Sequence, residues 1–312
     1  IRSFSTLIPE MKKLRDWILK VDCRRVAMES TGIYWQPIYE MLEPCFDGEI
    51  NILVVNARHM KNVPGRKTDM RDAQWIATLL RAGLLKGSFI PDKEFRELRH
   101  LTRYRKSIVH DITAQKNRID KFLQSSGFRF AAFLSDAFGA SGRNIIRNLI
   151  QNGSIDRAAL DKCLKTQTRK RIDQILIALN GNLSIHQRSF LAMTFGHLES
   201  LEAHRKAVED AITGEILKHS EALDLLCSIP GIDVTAAAAI IAEIGTDMSS
   251  FSDPQHICSW AGLSPGNNES AGKRKSAHIN KGNPYLKSML CEISWVISGK
   301  RTLYLSGWYW RI

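Results

Sequence analysis

The chain has 312 residues, 44% of them hydrophobic, enough apolar material for real cores and too much for a disordered polypeptide. At roughly 150 residues per domain, that length predicts about two domains. The balance of 44 Lys and Arg against 32 Asp and Glu, a net charge of +12, points toward a polyanionic partner, with a merely basic protein as the plain alternative. Six cysteines stand apart with no Cys-x-x-Cys pair, which fits neither a zinc site nor a disulfide scaffold and predicts reduced, buried thiols. No apolar run approaches the roughly 18 residues that span a bilayer, and no signal peptide is visible, so no membrane partner is expected. The chain begins at Ile1 rather than Met, which predicts a fragment that has lost upstream residues.

Residues 1–95 read as α/β. An extended start over Ile1–Ser5 leads into an amphipathic helix with Leu7, Met11, Leu14, Ile18 and Leu19 on one stripe. A short apolar strand, Arg25–Met28, ends at Glu29; Thr31-Gly32 marks a turn, and Tyr34, Ile38, Tyr39 and Leu42 predict a second helix. Ile52–Val55 is the clearest strand, a β-branched run between Asn51 and Asn56. A loop over Asn56–Lys67 precedes a helix from Thr68 to Ala82 that Gly83 ends. Alternating strands and helices imply a mostly parallel or mixed sheet.

Residues 96–220 predict helix throughout. Leu98, Leu101, Ile108, Ile112, Ile119 and Phe122 keep a 3-4 spacing, with Arg105 and Gln115 in the gaps, and Leu198, Leu201, Val208 and Ile212 form a second such stretch. The two stretches can pair within one chain or across a dimer. Over residues 96–130, nine Lys and Arg face three acids, which reads either as a solvated helix face or as one that tracks phosphates.

Residues 221–300 form a third unit, followed by a tail over 301–312. Leu226–Ile232 holds Pro-Gly and leads into the almost wholly apolar run Val234–Gly245, a helix-hairpin-helix-like pattern. Its second helix must be buried, and its N-terminus either offers N–H groups to a phosphate or simply packs. A loop rich in Gly, Asn, Ser and Lys runs from Gly262 to Asn283, and a closing helix spans Pro284–Ser298.

Four residues carry the chemistry. Asp69 and Asp72 stand three apart at a predicted helix start, where like charges repel unless the helix dipole or a shared divalent cation offsets them. Glu29 ends a strand, a common place for working residues. Carboxylate oxygens from several elements suit Mg²⁺ or another divalent cation, and Lys61, Arg66, Lys67 and Arg71 lie near the acids in sequence. Ser270 sits in a segment where Gly272 to Lys287 holds five cations and no acid, suited to charge on a phosphoryl group. A serine hydroxyl needs activation to attack; no Ser-His-Asp spacing is readable, and His278 alone is no evidence of one. A plain loop serine is the other reading.

Glu29–Trp35, Val55–Arg58, Lys67–Ala73, Ile229–Ile232, Gly262–Pro265, Glu269–Lys273 and Lys281–Pro284, taken in order over nearly the whole chain, resemble transposases of the insertion sequence 110 family. The resemblance implies a RuvC-like domain of RNase-H type over 1–95, a helical coiled-coil connector over 96–220 and a compact helical transposase domain over 221–300. It makes Glu29, Asp69 and Asp72 metal ligands and Ser270 the nucleophile of a DNA recombinase that works through a phosphoserine intermediate. The family's first acid falls on a strand ahead of Ile1, and Leu305–Ile312 differs from the family's basic, polar tail. Implied partners are DNA, a structured guide RNA and further copies of the chain, as dimer or tetramer, in a bacterial cytoplasm and beside the nucleoid. Expected phosphate contacts are Lys273, Arg274, Lys275 and Lys281, Arg66 and Lys67, and Arg103, Arg105 and Lys106. Two alternatives stay open: a metal-dependent nuclease of Holliday-junction type, with Ser270 structural, and a catalytically inactive nucleic-acid-binding remnant.

Overall fold

A computed structural model describes residues 1–45, 51–56, 69–265, 268–270, 273–276, 278–279 and 281–311. The side chains of residues 51, 69–71, 268–270 and 273–276 lie outside that description. So do Lys61, Arg66 and Lys67 altogether, with most of the expected Asn56–Lys67 loop. Two units are resolved, Ile1–Ile90 and Pro91–Ile312.

The first unit is mixed α/β. Its helix α1, Ile8–Lys20, has Pro in the first turn and buries Met11 and Ile18. Leu7 and Leu19, expected on the same stripe, are exposed: Leu7 is the residue before the helix, and Leu19 falls off the buried face. The extended start folds back, with Phe4 against the Trp17 ring at 5.7 Å. Strand β1, Arg25–Glu29, runs parallel to β2, Asn51–Val55, in a register that places Glu29 opposite Val55. Between them, helix α2 spans Gln36–Leu42 and buries Leu42. It starts two residues past Tyr34, which is exposed instead of lying on the helix face. Helix α3, Asp69–Arg81, packs against β1, and Gly83 at φ +70° follows its end. Leu42, Ile18, Leu14, Val26, Met28, Ile38 and Ile52 make the core.

The second unit is helical. Helices α4 (Lys93–Ser125) and α9 (Ile185–Ile216) form a long antiparallel pair, so the two heptad stretches meet within one chain. Leu98, Ile108, Ile112 and Ile119 of α4 share a core with Leu198, Val208 and Ile212 of α9. Gln115, in one gap of the stripe, is buried and donates to the Thr194 carbonyl at 2.7 Å. A satisfied polar group at such a core position fixes register. Between them, α5 (Ala140–Asn152), α6 (Arg157–Cys163), α7 (Thr166–Arg169) and α8 (Ile172–Ala178) extend the same core.

Helix α10, Ser220–Cys227, turns through Pro230-Gly231 into α11, Val234–Ile244, giving the expected helix-hairpin-helix outline. The apolar run of α11 has a plain cause. One face (Ala237, Ala238, Ile241, Ala242) packs into the long-helix core, and another (Ala236, Ile240) packs with α12 (Pro254–Ala261) and α13 (Pro284–Ser298). The anion position at its N-terminus is taken by the chain itself: Asp233 accepts from the Ala236 N–H at 2.7 Å. Strands β3 (Asn268–Ser270) and β4 (Lys273–Ser276) form a hairpin between α12 and α13, and α14, Tyr304–Tyr309, follows. Among the described residues no helix is long and apolar enough to cross a membrane.

Candidate active site

In the first unit, Glu29 is the last residue of β1, as its place at the end of an apolar run predicts. Its half-buried carboxylate accepts the Thr31 hydroxyl at 2.6 Å. Asp69 and Asp72 stand in the first turn of α3, where the helix dipole favours acids. Asp72 is exposed, and the Asp69 side chain lies outside the described residues. Among the described residues no three His, Cys, Asp or Glu side chains gather as a metal cage.

In the second unit, Ser270 closes β3 and pairs with Lys273 across the antiparallel hairpin. Glu269 pairs with Arg274, and the register shifts between Asn268 and Glu269. The side chains of Ser270, Lys273, Arg274 and Lys275 are outside the described residues; Lys281 and His278 are exposed. Below the strands, Pro265 bridges to Ile279.

The base of this hairpin is clamped backbone to backbone. A Cβ at Gly282 would stand 2.1 Å from the Gly262 nitrogen and 2.4 Å from the Trp260 oxygen, so only glycine admits the approach. Gly262 itself, at φ +76°, caps the end of α12 in the left-handed conformation. The Asn283 N–H then donates to the Trp260 carbonyl at 2.9 Å. Asn283 also caps α13: its Oδ1 accepts from the Tyr285 and Leu286 N–H groups at 2.9 and 3.2 Å, with Pro284 beginning the helix.

Sequence reasoning singled out neither Asn283 nor the residue it reaches. Its Nδ2 donates to Glu243 Oε2 at 2.6 Å. Glu243, the sole charged residue of α11, is 2% exposed. Arg103 of α4 grips it with two bonds, Nε to Oε1 at 2.8 Å and Nη2 to Oε2 at 2.9 Å. Arg99, one turn earlier, reaches Glu243 Oε2 at 3.1 Å, and its guanidinium also donates to the Ala242 and Glu243 carbonyls in the last turn of α11. That placement suits a cation, because the helix dipole is negative there. Burial pulls the Arg99 guanidinium down to about 10, with Glu243 pulling the other way. A lone acid in an apolar helix was the available signal, since a buried charge requires partners.

These contacts also locate the basic helix. Arg105 pairs with Glu209 of α9 at 2.8 Å, Lys116 lies 3.9 Å from Glu202, and Arg118 donates to Gln115. Lys106 is exposed, its Nζ 5.8 Å from the Tyr285 ring, and the Arg103 guanidinium lies 4.2 Å over the same ring. Arg103, Arg105, Lys106, Thr235, Glu243 and Tyr285 help to line a cleft of about 310 Å³.

Comparison with known proteins ties both units to one class. Residues 2–127 match a DEDD-type transposase model, and residues 223–309 match a model described as "Transposase IS116/IS110/IS902 family". A Sinorhizobium fredii protein named as a candidate transposase, y4qE, is 23% identical over 250 residues, covering 76% of this chain and 51% of that protein. Both matched segments are thus those of transposases. The chain belongs to the IS116/IS110/IS902 family of transposases. It spans about half the length of the curated relative it matches.

Proposed function

We propose that this chain cuts and rejoins DNA as a transposase, with Ser270 as the nucleophile and a divalent cation, Mg²⁺ or similar, held by Glu29, Asp69 and Asp72. The observation that carries the reading is the position of Ser270, at the end of β3 opposite Lys273, in a segment matched to the family's transposase domain. The α/β unit is read as RuvC-like, with residues 96–220 as connector. DNA is the substrate, a structured RNA the guide, and a dimer or tetramer the working assembly.

In the reaction, Ser270 Oγ forms an ester bond to a DNA phosphorus while the bond from that phosphorus to a deoxyribose oxygen breaks. The proton lost by Oγ ends on the departing sugar oxygen. A hydroxyl of the partner DNA then attacks the phosphoserine, restoring a phosphodiester and returning a proton to Ser270. One phosphate ester replaces another at each step, so no nucleoside triphosphate is consumed. Lys273, Arg274, Lys275 and Lys281 stabilise charge on the phosphate. Arg66 and Lys67, with Arg103, Arg105 and Lys106, hold flanking phosphates, Lys106 as an exposed point charge and Arg103 and Arg105 from beside their internal carboxylates.

The donor set fits the cation: three carboxylates on two elements offer only hard oxygens, which suit Mg²⁺. The Thr31 hydroxyl supports Glu29 in the way ligating carboxylates are usually supported, through a hydrogen bond that fixes their orientation. When bound, the cation would neutralise negative charge at the phosphate.

Denaturing electrophoresis of the full chain with DNA and Mg²⁺ tests the reading. A covalent protein–DNA species is expected from the natural sequence, none from Ser270→Ala, and a strongly reduced yield from Asp69→Ala. Cutting that persists in Ser270→Ala without any covalent species would instead establish a hydrolytic nuclease. Binding with steep salt dependence and no cutting would establish a binding protein.

A further inference from the structure

We propose that Glu243 is a positioning residue for Ser270: through Asn283 it fixes the base of the β3–β4 hairpin, and through Arg99 and Arg103 it ties that base to the basic helix α4. The inference rests on the reading of Ser270 as the nucleophile.

Three observations support it. First, the Glu243 carboxylate is held by three residues, Arg99 and Arg103 of α4 and Asn283 at the start of α13, at 2.6 to 3.1 Å. A carboxylate needed only to neutralise one arginine would be satisfied by the bidentate Arg103 bonds alone. Second, Asn283 divides its amide between two tasks: its oxygen caps α13 and its nitrogen reaches Glu243. Third, Gly282 beside it lies against the backbone of Trp260–Gly262, so the segments before and after the hairpin are held at one point. Ser270 stands at the opposite end of that hairpin from the clamp, and Arg103 and Lys106 line a cleft at the clamp together with Glu243. A shift at the clamp therefore becomes a shift of the serine relative to α4. Misplacing a reacting group by about 1 Å can cost on the order of 10²-fold in rate.

Replacing Glu243 itself risks the fold, because two guanidinium groups would lose their partner, so the test uses Asn283→Ser. Serine caps a helix about as well as asparagine but is too short to reach Glu243. The measurements are made on the full chain: the rate of covalent adduct formation at saturating DNA, the DNA dissociation constant, and amide hydrogen exchange over β3 and β4. Expected is a loss of about 10²-fold in adduct rate with unchanged DNA affinity. The melting temperature should fall by only about 2–4 °C, the scale of one hydrogen bond. Wild-type adduct rate in Asn283→Ser would overturn the proposal. Should the natural protein form no adduct at all, the nucleophile reading fails, and exchange alone decides whether the clamp holds the hairpin. Faster exchange across β3 and β4 in Asn283→Ser would support it, and unchanged protection would overturn it.

Discussion

Two carboxylate environments in this chain follow opposite rules. Glu29 ends a strand, is half-buried, and among the described residues accepts one side-chain hydrogen bond, from Thr31. Glu243 is buried on an apolar helix; its carboxylate accepts from Arg103 and Asn283 of other elements and forms an ion pair with Arg99. A carboxylate has about four acceptor positions. At Glu243 the fold supplies three donors and a second arginine as counter-charge, and at Glu29 a single hydroxyl orients the group. The difference separates an acid whose acceptor positions the fold occupies from one that keeps most of them open among the described residues, and both are single acidic letters in the sequence.

The comparison breaks most readily at Glu243. Glu243→Ala leaves the half-buried Arg99 and Arg103 guanidinium groups without a counter-charge and should cost about 2–3 kcal/mol of unfolding free energy, measured by urea titration. A loss under about 1 kcal/mol would mean that the network is ornamental. Arg105→Ala, which removes the partly buried pair with Glu209 between α4 and α9, should cost roughly 0.5–1 kcal/mol in the same assay. Glu29→Gln keeps size and the contact with Thr31, so unfolding should move by no more than about 0.5 kcal/mol while metal-dependent DNA cutting falls sharply. A Glu29→Gln protein that cuts normally would remove Glu29 from the site.

The smallest effect is one of pH. Asp253 caps α12, and its hydrogen bonds, first from the His256 N–H, hold its carboxyl below the ordinary 3.8. A depressed pKa gives stability that is present above the unfolded value and lost as pH falls through the folded one. Melting of the natural protein should therefore drop relative to Asp253→Asn below about pH 3.8 and not above it.

Much of the fold is legible in the sequence because its signals are local. The run Ile52–Val55 and the apolar stretch that ends at Glu29 are strands, and Pro284–Ser298 is a helix with those bounds. The heptad stretches predict partners without saying whose, and the structure pairs them within the chain. Periodicity overreached at Leu7, Leu19 and Tyr34, where an element starts later than the apolar pattern or one residue leaves the buried face.

The junction at the hairpin base was hidden for a different reason. Asn283-Pro284 does announce a helix start, but Glu243 lies 40 positions away, and Arg103 a further 140 before that. The charge count over residues 96–130 is incomplete for the same reason. It omits Glu202, Glu209 and Glu243, which come later in the chain and meet Lys116, Arg105, Arg99 and Arg103 in space. Linear windows cannot subtract acids that the fold brings in from outside them.

One bond, between Ser270 Oγ and a DNA phosphorus, decides between the nucleophile and its rivals. After reaction with DNA and Mg²⁺, the full chain is digested with nuclease and protease, and its peptides are weighed by mass spectrometry. A nucleotide phosphate attached to the peptide that contains Ser270, at that oxygen, is the predicted result. Cut DNA with every peptide unmodified, or with the nucleotide on another side chain, would contradict it.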